Sequence, residues 1–152
     1  MRNAIAATVF LASVAFASPA VRGVRLPPSL EASADHGSLI EHDADVSKRE
    51  PGTHNGGGDT TGYSFFRQAS NPALIFRKRA LHPGSGIGLH KQEVDEVYYV
   101  VSGTGELTLD GEKHAVSAGT AILTRPGSSH SLRQTGPDDL VMIIAYPPES
   151  QK

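Results

Sequence analysis

Residues 84–103 read GSGIGLHKQEVDEVYYVVSG, a glycine-bounded run in which polar side chains interrupt apolar ones. Alternate side chains of a β-strand share a face, so His90 and Gln92 point the same way if this run is extended. Glu96 opens the next apolar run, and a tight connection would turn its carboxylate toward the same interior volume. Tyr98 continues that face and is a candidate proton or hydrogen-bond donor to a substrate, although packing explains a strand tyrosine equally well.

A second segment, residues 119–134, reads GTAILTRPGSSHSLRQ and carries His130. This histidine belongs to a strand remote in the chain, and closure of a barrel would bring it opposite His90. Two imidazoles, the Glu96 carboxylate and the Gln92 amide oxygen would then surround one point and leave positions for water or substrate. The four side chains are therefore candidate ligands of one divalent ion.

The chain from Gly62 onward has an all-β pattern, because short apolar or alternating runs are separated by turn residues at close spacing. Asp110-Gly111 is a strong two-residue hairpin signal, since such turns need positive φ. So many short strands favour a barrel or double-sheet jelly roll over an open sheet, which would leave long unpaired edges. The predicted strands are Tyr63–Arg67, Leu74–Leu81, Gly86–Gln92, Glu96–Val101, Gly105–Leu109, Lys113–Val116, Thr120–Thr124, His130–Gln134 and Leu140–Tyr146.

The two quoted segments resemble the two conserved motifs of the cupin superfamily. The first family motif is Gly, five residues, His-x-His, three or four residues, Glu, six residues, Gly, and the chain matches it at Gly84, His90, Glu96 and Gly103. The second is Gly, five residues, Pro-x-Gly, two residues, His, three residues, Asn, and the matches are Gly119, Gly127 and His130. The resemblance implies the cupin double-stranded β-helix, a jelly-roll barrel, with a metal site in it.

Three positions depart from these motifs. Gln92 replaces the second His of the first motif, and Gln134 replaces the Asn of the second. Arg125 stands where the second motif has Pro, although Pro126 follows at once. The activity of the superfamily is much less fixed than its fold, so function has to be argued from the site.

A change of composition divides the chain into three parts. Residues 1–17 combine an early Arg2 with an apolar run and small residues near its end, which predicts a signal peptide and export to the periplasm or the extracellular space. Residues 18–61 are rich in Pro, Gly, Ser, Asp and His, which predicts a disordered or extended N-terminal arm. Residues 62–148 are assigned to the barrel.

Composition limits the class of partner. Lys and Arg total 14 against 16 for Asp and Glu, the formal net charge is −2 and the pI is near 6.4. That balance argues against nucleic acid and membrane partners. The sequence has no cysteine, so an exported protein of this type must be stabilised by its core, a metal or self-association. The last predicted strand, Leu140–Tyr146, is apolar on both faces, which predicts a homodimer interface.

Other polar residues carry weaker signals. Arg77 and Arg79 alternate with Phe76 and Lys78 in a predicted strand. If the two arginines line the pocket they would favour a carboxylate or another anion. If they face outward they form a solvated edge, which we favour. The remaining histidines lack partner spacing and are assigned to ordinary surface positions: His36, His42, His54, His82 and His114.

The donor set leaves the metal open. Glutamine is a weaker, neutral ligand than imidazole, and mixed nitrogen and oxygen donors are compatible with Fe, Mn, Ni or Zn. If His90, Glu96 and His130 alone bind the ion, they form the two-histidine, one-carboxylate set used by oxygen-activating non-heme iron. Gln92 would then contact the substrate.

The leading functional hypothesis is a small exported metalloenzyme that acts on an oxygen-rich small molecule, such as a sugar, an organic acid or a phenolic compound. Oxygenase, isomerase and lyase chemistry all remain open, with Glu96 and Tyr98 as candidate catalytic residues. The main alternative is a non-catalytic module that uses the same pocket to bind a small molecule or a metal. A third hypothesis is a structural domain with a vestigial site, motivated by the Gln92 and Gln134 departures.

Overall fold

The computed structural model describes residues 37–70 and 72–148. The predicted signal peptide and the first part of the predicted arm, up to residue 36, lie outside the described residues. Within the described part of the chain, no helix is long and apolar enough to cross a membrane. The elements are α1 (Asp43–Val46), one turn of 3-10 helix (Thr53–Asn55), β1 (Ser47–Pro51), β2 (Asp59–Ser64), β3 (Ile75–Leu81), β4 (Gly86–Lys91), β5 (Glu96–Ser102), β6 (Thr104–Leu109), β7 (Glu112–Ser117), β8 (Ala121–Thr124), β9 (Ser129–Gln134) and β10 (Leu140–Tyr146).

The strands form two antiparallel sheets. One sheet has six strands in the order β1-β2-β3-β10-β5-β8, and the other has four in the order β4-β9-β6-β7. From β3 to β10, successive strands alternate between the two sheets except for the β6–β7 hairpin, as in a jelly roll. An antiparallel sheet can bury one face while the other meets water. The predicted all-β jelly-roll fold is confirmed.

The core lies between the two sheets and follows from strand alternation. In β5, Tyr98 and Val100 are buried while Val97 and Tyr99 are exposed, so one face of the strand is in the core and the other in solvent. Burial of these inward apolar side chains supplies the main favourable term in folding. The buried core cluster consists of Leu81, Ile87, Tyr98, Val100, Leu107, Val116, Ile122, Leu132, Leu140, Met142 and Ile144.

The last eight predicted strands agree with β3 to β10 within one residue at each end. The first predicted strand, Tyr63–Arg67, is displaced, because the strand in the structure is Asp59–Ser64. Residues 47–51 and 59–61, which the sequence placed in the arm, form β1 and the start of β2.

β1 was not predicted, because its sequence does not alternate between apolar and polar residues. It reads Ser-Lys-Arg-Glu-Pro, and it is exposed apart from the half-buried Glu50. Its place in the sheet rests on pairing with β2 and on polar contacts: Arg49 forms an ion pair with Asp59, and Glu50 accepts a hydrogen bond from Arg79. Such an edge strand is invisible to hydrophobic periodicity, and Pro51 is tolerated at its end.

Gln134, the residue that replaces the family Asn, ties two loops to the barrel. Its side-chain oxygen accepts a hydrogen bond from the backbone N–H of Gly84 at 2.9 Å. Its amide nitrogen donates to the backbone carbonyls of Gly136 and Asp138. The side chain is buried, so these three hydrogen bonds satisfy its own polar atoms. Gln134 therefore has a structural role although it departs from the motif.

We predict that Gln134→Leu lowers the free energy of unfolding by about 3 kcal/mol, because it removes three hydrogen bonds at roughly 1 kcal/mol each. Urea denaturation measures the change. Gln68→Leu, at an exposed position, serves as the matched control and should shift stability by less than about 0.5 kcal/mol. Equal effects of the two substitutions would contradict this role for Gln134.

Candidate metal centre

Two strands of the four-stranded sheet and one strand of the six-stranded sheet supply the candidate ligands. His90 on β4 and His130 on β9 are direct partners in the antiparallel register. The register shifts between Ile87 and His90, a bulge of the kind that re-aims a side chain. Glu96, the first residue of β5, approaches from the other sheet. Closure of the barrel thus brings the predicted residues together.

The three side chains have the geometry of a metal-ligand group. Within the described residues, ligand atoms of His90, Glu96 and His130 all lie within 4.8 Å of one another. The two imidazole ring centroids are 4.3 Å apart, with their planes at 59°. His130 Nε2 is 3.5 Å from Glu96 Oε2. Such mutual spacing leaves room for one ion between the donors.

The environment of His90 sets which of its nitrogens can bind a metal. His90 Nδ1 is 2.9 Å from the carbonyl oxygen of Gly88. Because a carbonyl oxygen only accepts hydrogen bonds, Nδ1 carries the proton and Nε2 keeps its lone pair. A backbone carbonyl in this position is a common way to orient a metal-binding imidazole.

Two polar atoms of the group lack a hydrogen-bond partner. Glu96 Oε2 and His130 Nδ1 are buried, and no hydrogen bond to either lies within the described residues. A buried carboxylate oxygen without a partner is costly, and a bound cation removes that cost. The donor set and its orphaned carboxylate oxygen therefore fit a divalent ion, which His90, Glu96 and His130 would hold.

Burial dominates the electrostatics of the site. It raises the pKa of Glu96 above its usual value, against the opposing hydrogen bond from Tyr98 and the electrostatic effect of His90 and Arg77. Burial, together with the electrostatic effect of His90 and His54, lowers the pKa of His130 to about 4. Burial also raises the pKa of Tyr98 well above its ordinary value. At neutral pH His130 is therefore neutral, as a metal ligand must be.

Gln92 and Tyr98, the other two predicted site residues, occupy the same interior. Both are buried and line the pocket that contains His90 and Glu96. The Tyr98 hydroxyl is 3.1 Å from His130 Nε2. The side chain of Gln92 has no hydrogen bond within the described residues. Its assignment as a ligand or as a substrate contact stays a prediction.

His90 and Glu96 line a pocket of about 450 Å³ whose wall includes two arginines of β3, whereas His130 is fully buried and does not line it. The expectation that Arg77 and Arg79 face outward is wrong. Arg79 is buried and donates to Thr60 Oγ1 at 2.8 Å and to Glu50 Oε1 at 2.6 Å. Arg77 lines the pocket, and its guanidinium has neither an ion pair nor a hydrogen bond within the described residues. The sequence could not show this, because the partners that accommodate a buried arginine come from β1 and β2.

His54, assigned to an ordinary surface position, is exposed and lines the same pocket. Its ring stacks on the ring of His90, with centroids 3.7 Å apart and planes at 5°. His82 is also held by neighbours, since its ring nitrogens lie 2.9 Å from Thr61 Oγ1 and 2.9 Å from Asp139 Oδ1. Three glycines, Gly56 to Gly58, follow Asn55, and their spacing does not indicate where this segment folds.

Comparison with known proteins supports the fold. A family model described as the cupin domain matches residues 78–146. An oxalate-binding protein from Thermotoga maritima is 41% identical over 74 residues, which cover 48% of this chain and 61% of that protein. A 5-nitrosalicylic acid 1,2-dioxygenase from a Bradyrhizobium species is 29% identical over 75 residues, which cover 49% of this chain and 36% of that protein. The chain thus spans less than two thirds of both curated relatives.

A solved structure gives the same result over a larger share of the chain. The crystal structure of a predicted oxalate decarboxylase from Thermotoga maritima matches with a TM-score of 0.66 and 27% sequence identity. The match covers 72% of this chain and 98% of that one.

We predict that metal-free protein loses stability as the pH falls from 6.5 toward 4. The folded state holds the pKa of His130 at about 4 against 6.5 ordinarily, so the unfolded chain takes up a proton that the folded protein excludes. This contribution reaches about 3 kcal/mol at the low end of the window. The raised pKa of Glu96 acts in the opposite direction.

The matched variant His130→Asn isolates the effect, since both proteins keep Glu96. Urea denaturation should show that the wild type loses unfolding free energy relative to the variant as the pH falls through this window. A difference that stays constant between pH 6.5 and pH 4 would contradict the environment described for His130.

Proposed function

Because this chain belongs to the cupin family, we propose that it is a metal-binding protein that holds one divalent ion and binds a small organic acid beside it. The observation that carries the proposal is the convergence of His90, Glu96 and His130 on one point, with a buried carboxylate oxygen left without a partner. Iron, manganese, nickel and zinc all suit this donor set.

Two cationic side chains of this chain and the names of two relatives support an acid as the ligand class. Arg77 lines the pocket without an ion pair among the described residues, so its guanidinium is available to a carboxylate. Lys91 adds a second cation to the pocket wall. The names of the two relatives refer to oxalate and to 5-nitrosalicylic acid, and both compounds carry carboxyl groups. A sugar or an uncharged phenolic compound would offer Arg77 no charged partner.

We further propose that the site is catalytic. A bound ion would supply Lewis-acid polarisation of the acid or, if it is iron, activation of dioxygen. Tyr98 lies on the wall of the pocket with a raised pKa, so its hydroxyl keeps its proton at neutral pH and can donate it or a hydrogen bond. Glu96, where it is not fully engaged by the ion, is placed to accept a proton. Oxidation, isomerisation and lyase chemistry are all consistent with these groups.

A non-catalytic binding module is the second candidate. The relative with 41% identity is named as an oxalate-binding protein, a description that requires no turnover. The same pocket, ion and arginine would serve this role. Product analysis after incubation of an acid with the metal-loaded protein separates the two candidates.

The test of acid binding starts from protein stripped of metal with a chelator and loaded in turn with Mn(II), Fe(II), Ni(II) or Zn(II). We expect one ion per chain, and binding of oxalate or salicylate by calorimetry only when the ion is present. Glucose should bind at least tenfold more weakly, because it offers no charge to Arg77. Acid binding that is equal with and without the ion would contradict the proposal.

Arg77→Gln should weaken acid binding by about tenfold or more, since it removes a charge-assisted hydrogen bond, while ion binding persists. Arg133→Gln is the matched control, because Arg133 is exposed on β9 and lies outside this pocket. If the two substitutions weaken the acid equally, Arg77 does not bind it.

We also propose that the protein is exported to the periplasm or the extracellular space and forms a homodimer. The case for export rests on the pattern in residues 1–17. The case for a dimer rests on the outer face of the six-stranded sheet, where Val97, Tyr99, Val101 and Leu123 are 42% to 50% exposed. Ile143 of β10 lies beside Tyr99 in the register, so the apolar surface is continuous across these strands.

Tyr99→Lys should convert a dimer to a monomer, because it places a charge in the middle of this surface. Light scattering coupled to size-exclusion chromatography measures the mass. Leu89→Lys, at an exposed apolar residue of the other sheet, is the control and should leave the mass unchanged. A wild-type protein that stays monomeric at high micromolar concentration would contradict the dimer.

A further inference from the structure

The segment from Gly52 to Gly58 is attached to the strand that carries His90. The backbone N–H of Gly52 donates to the carbonyl of Gly58 at 3.2 Å, which closes the segment on itself. The backbone N–H of Gly86 donates to the carbonyl of Gly57 at 3.2 Å, which joins the segment to β4. These residues belong to the region that the sequence assigned to an arm, but the structure packs them against the barrel.

This packing is too close for ordinary side chains on β4. A Cβ atom added at Gly88 would lie 1.8 Å from the carbonyl oxygen of His54. His54 and Asn55 adopt φ values of 52° and 59°, the left-handed region that non-glycine residues rarely occupy. Strained backbone of this kind persists only where surrounding structure imposes it, and it concentrates at ligand sites.

The strained backbone places one imidazole on another. The ring of His54 covers the ring of His90 at a centroid distance of 3.7 Å, and His54 lines the same pocket as Arg77. His54 is not among the three residues whose ligand atoms lie within 4.8 Å of one another. Its ring nitrogens have no hydrogen-bond partner within the described residues. They therefore remain available to a molecule in the pocket.

We propose that His54 is a substrate-binding residue, which holds the ring of His90 by stacking and offers a ring nitrogen to an oxygen of the bound acid. The inference rests on the proposed function, since it takes an acid at the ion as the ligand. It adds an imidazole from outside the matched family segment, residues 78–146, to the pocket that this segment forms.

Three substitutions separate stacking from hydrogen bonding. His54→Phe keeps an aromatic ring on His90 and removes the nitrogens, His54→Ala removes both, and His54→Gln keeps a polar group without the ring. His114→Phe is the matched control, because His114 is exposed on β7 and does not line the pocket. Thermal melting of each variant verifies that it is folded.

Calorimetry with Mn(II) alone, and then with oxalate on the Mn(II)-loaded protein, gives the readout. We expect His54→Phe to bind Mn(II) within about twofold of wild type and oxalate about tenfold more weakly. His54→Ala should lose at least as much oxalate affinity, and His54→Gln should regain part of it. The control should match wild type in both titrations.

The outcomes distinguish this inference from the function on which it rests. If wild-type protein binds oxalate and His54→Phe binds it equally well, the role of His54 is wrong while the proposed function stands. If His54→Phe loses Mn(II) binding as completely as His130→Asn, His54 acts on the ion and the assignment as a substrate contact is overturned. If wild-type protein binds Mn(II) but no acid, the proposed function fails and the role of His54 fails with it.

Discussion

The antiparallel pairing of β4 with β9 is the constraint on which the rest of the site depends, because it sets His90 opposite His130. Side chains alternate along a strand, so a slip of one residue in this register would turn one imidazole out of the barrel. Glu96 reaches the same point from the other sheet, as the first residue of β5. The site therefore exists only in the closed barrel, where both sheets contribute to it.

The site keeps polar atoms in an environment that disfavours them. Glu96 Oε2 and His130 Nδ1 are buried without a partner among the described residues, and burial shifts the pKa of each side chain toward its neutral form. A protein selected for stability alone would gain from apolar residues here. A bound divalent ion would remove this cost, because metal ions bind a carboxylate and neutral imidazoles as ligands. Its positive charge would also compensate the buried carboxylate.

Much of the site was predictable from the sequence because its residues obey short-range rules. His90, Gln92 and Tyr98 fall on the inward face by strand alternation, and the turn glycines mark where each strand ends. The burial of Arg79 and the stacking of the exposed His54 were missed for a different reason. A buried arginine depends on distant acceptors, here Thr60 and Glu50, and a stacked histidine depends on a strained loop. Neither leaves a periodic signal, so both became visible only in three dimensions.

The central claim is that His90, Glu96 and His130 hold one divalent ion, and X-ray diffraction at the absorption edge of a bound metal tests it most directly. Crystals of the Zn(II)- or Mn(II)-loaded protein should show a single anomalous peak in contact with Nε2 of His90, Nε2 of His130 and the Glu96 carboxylate. An ion bound by other residues at full loading, or the two imidazoles turned apart with no ion between them, would contradict the account.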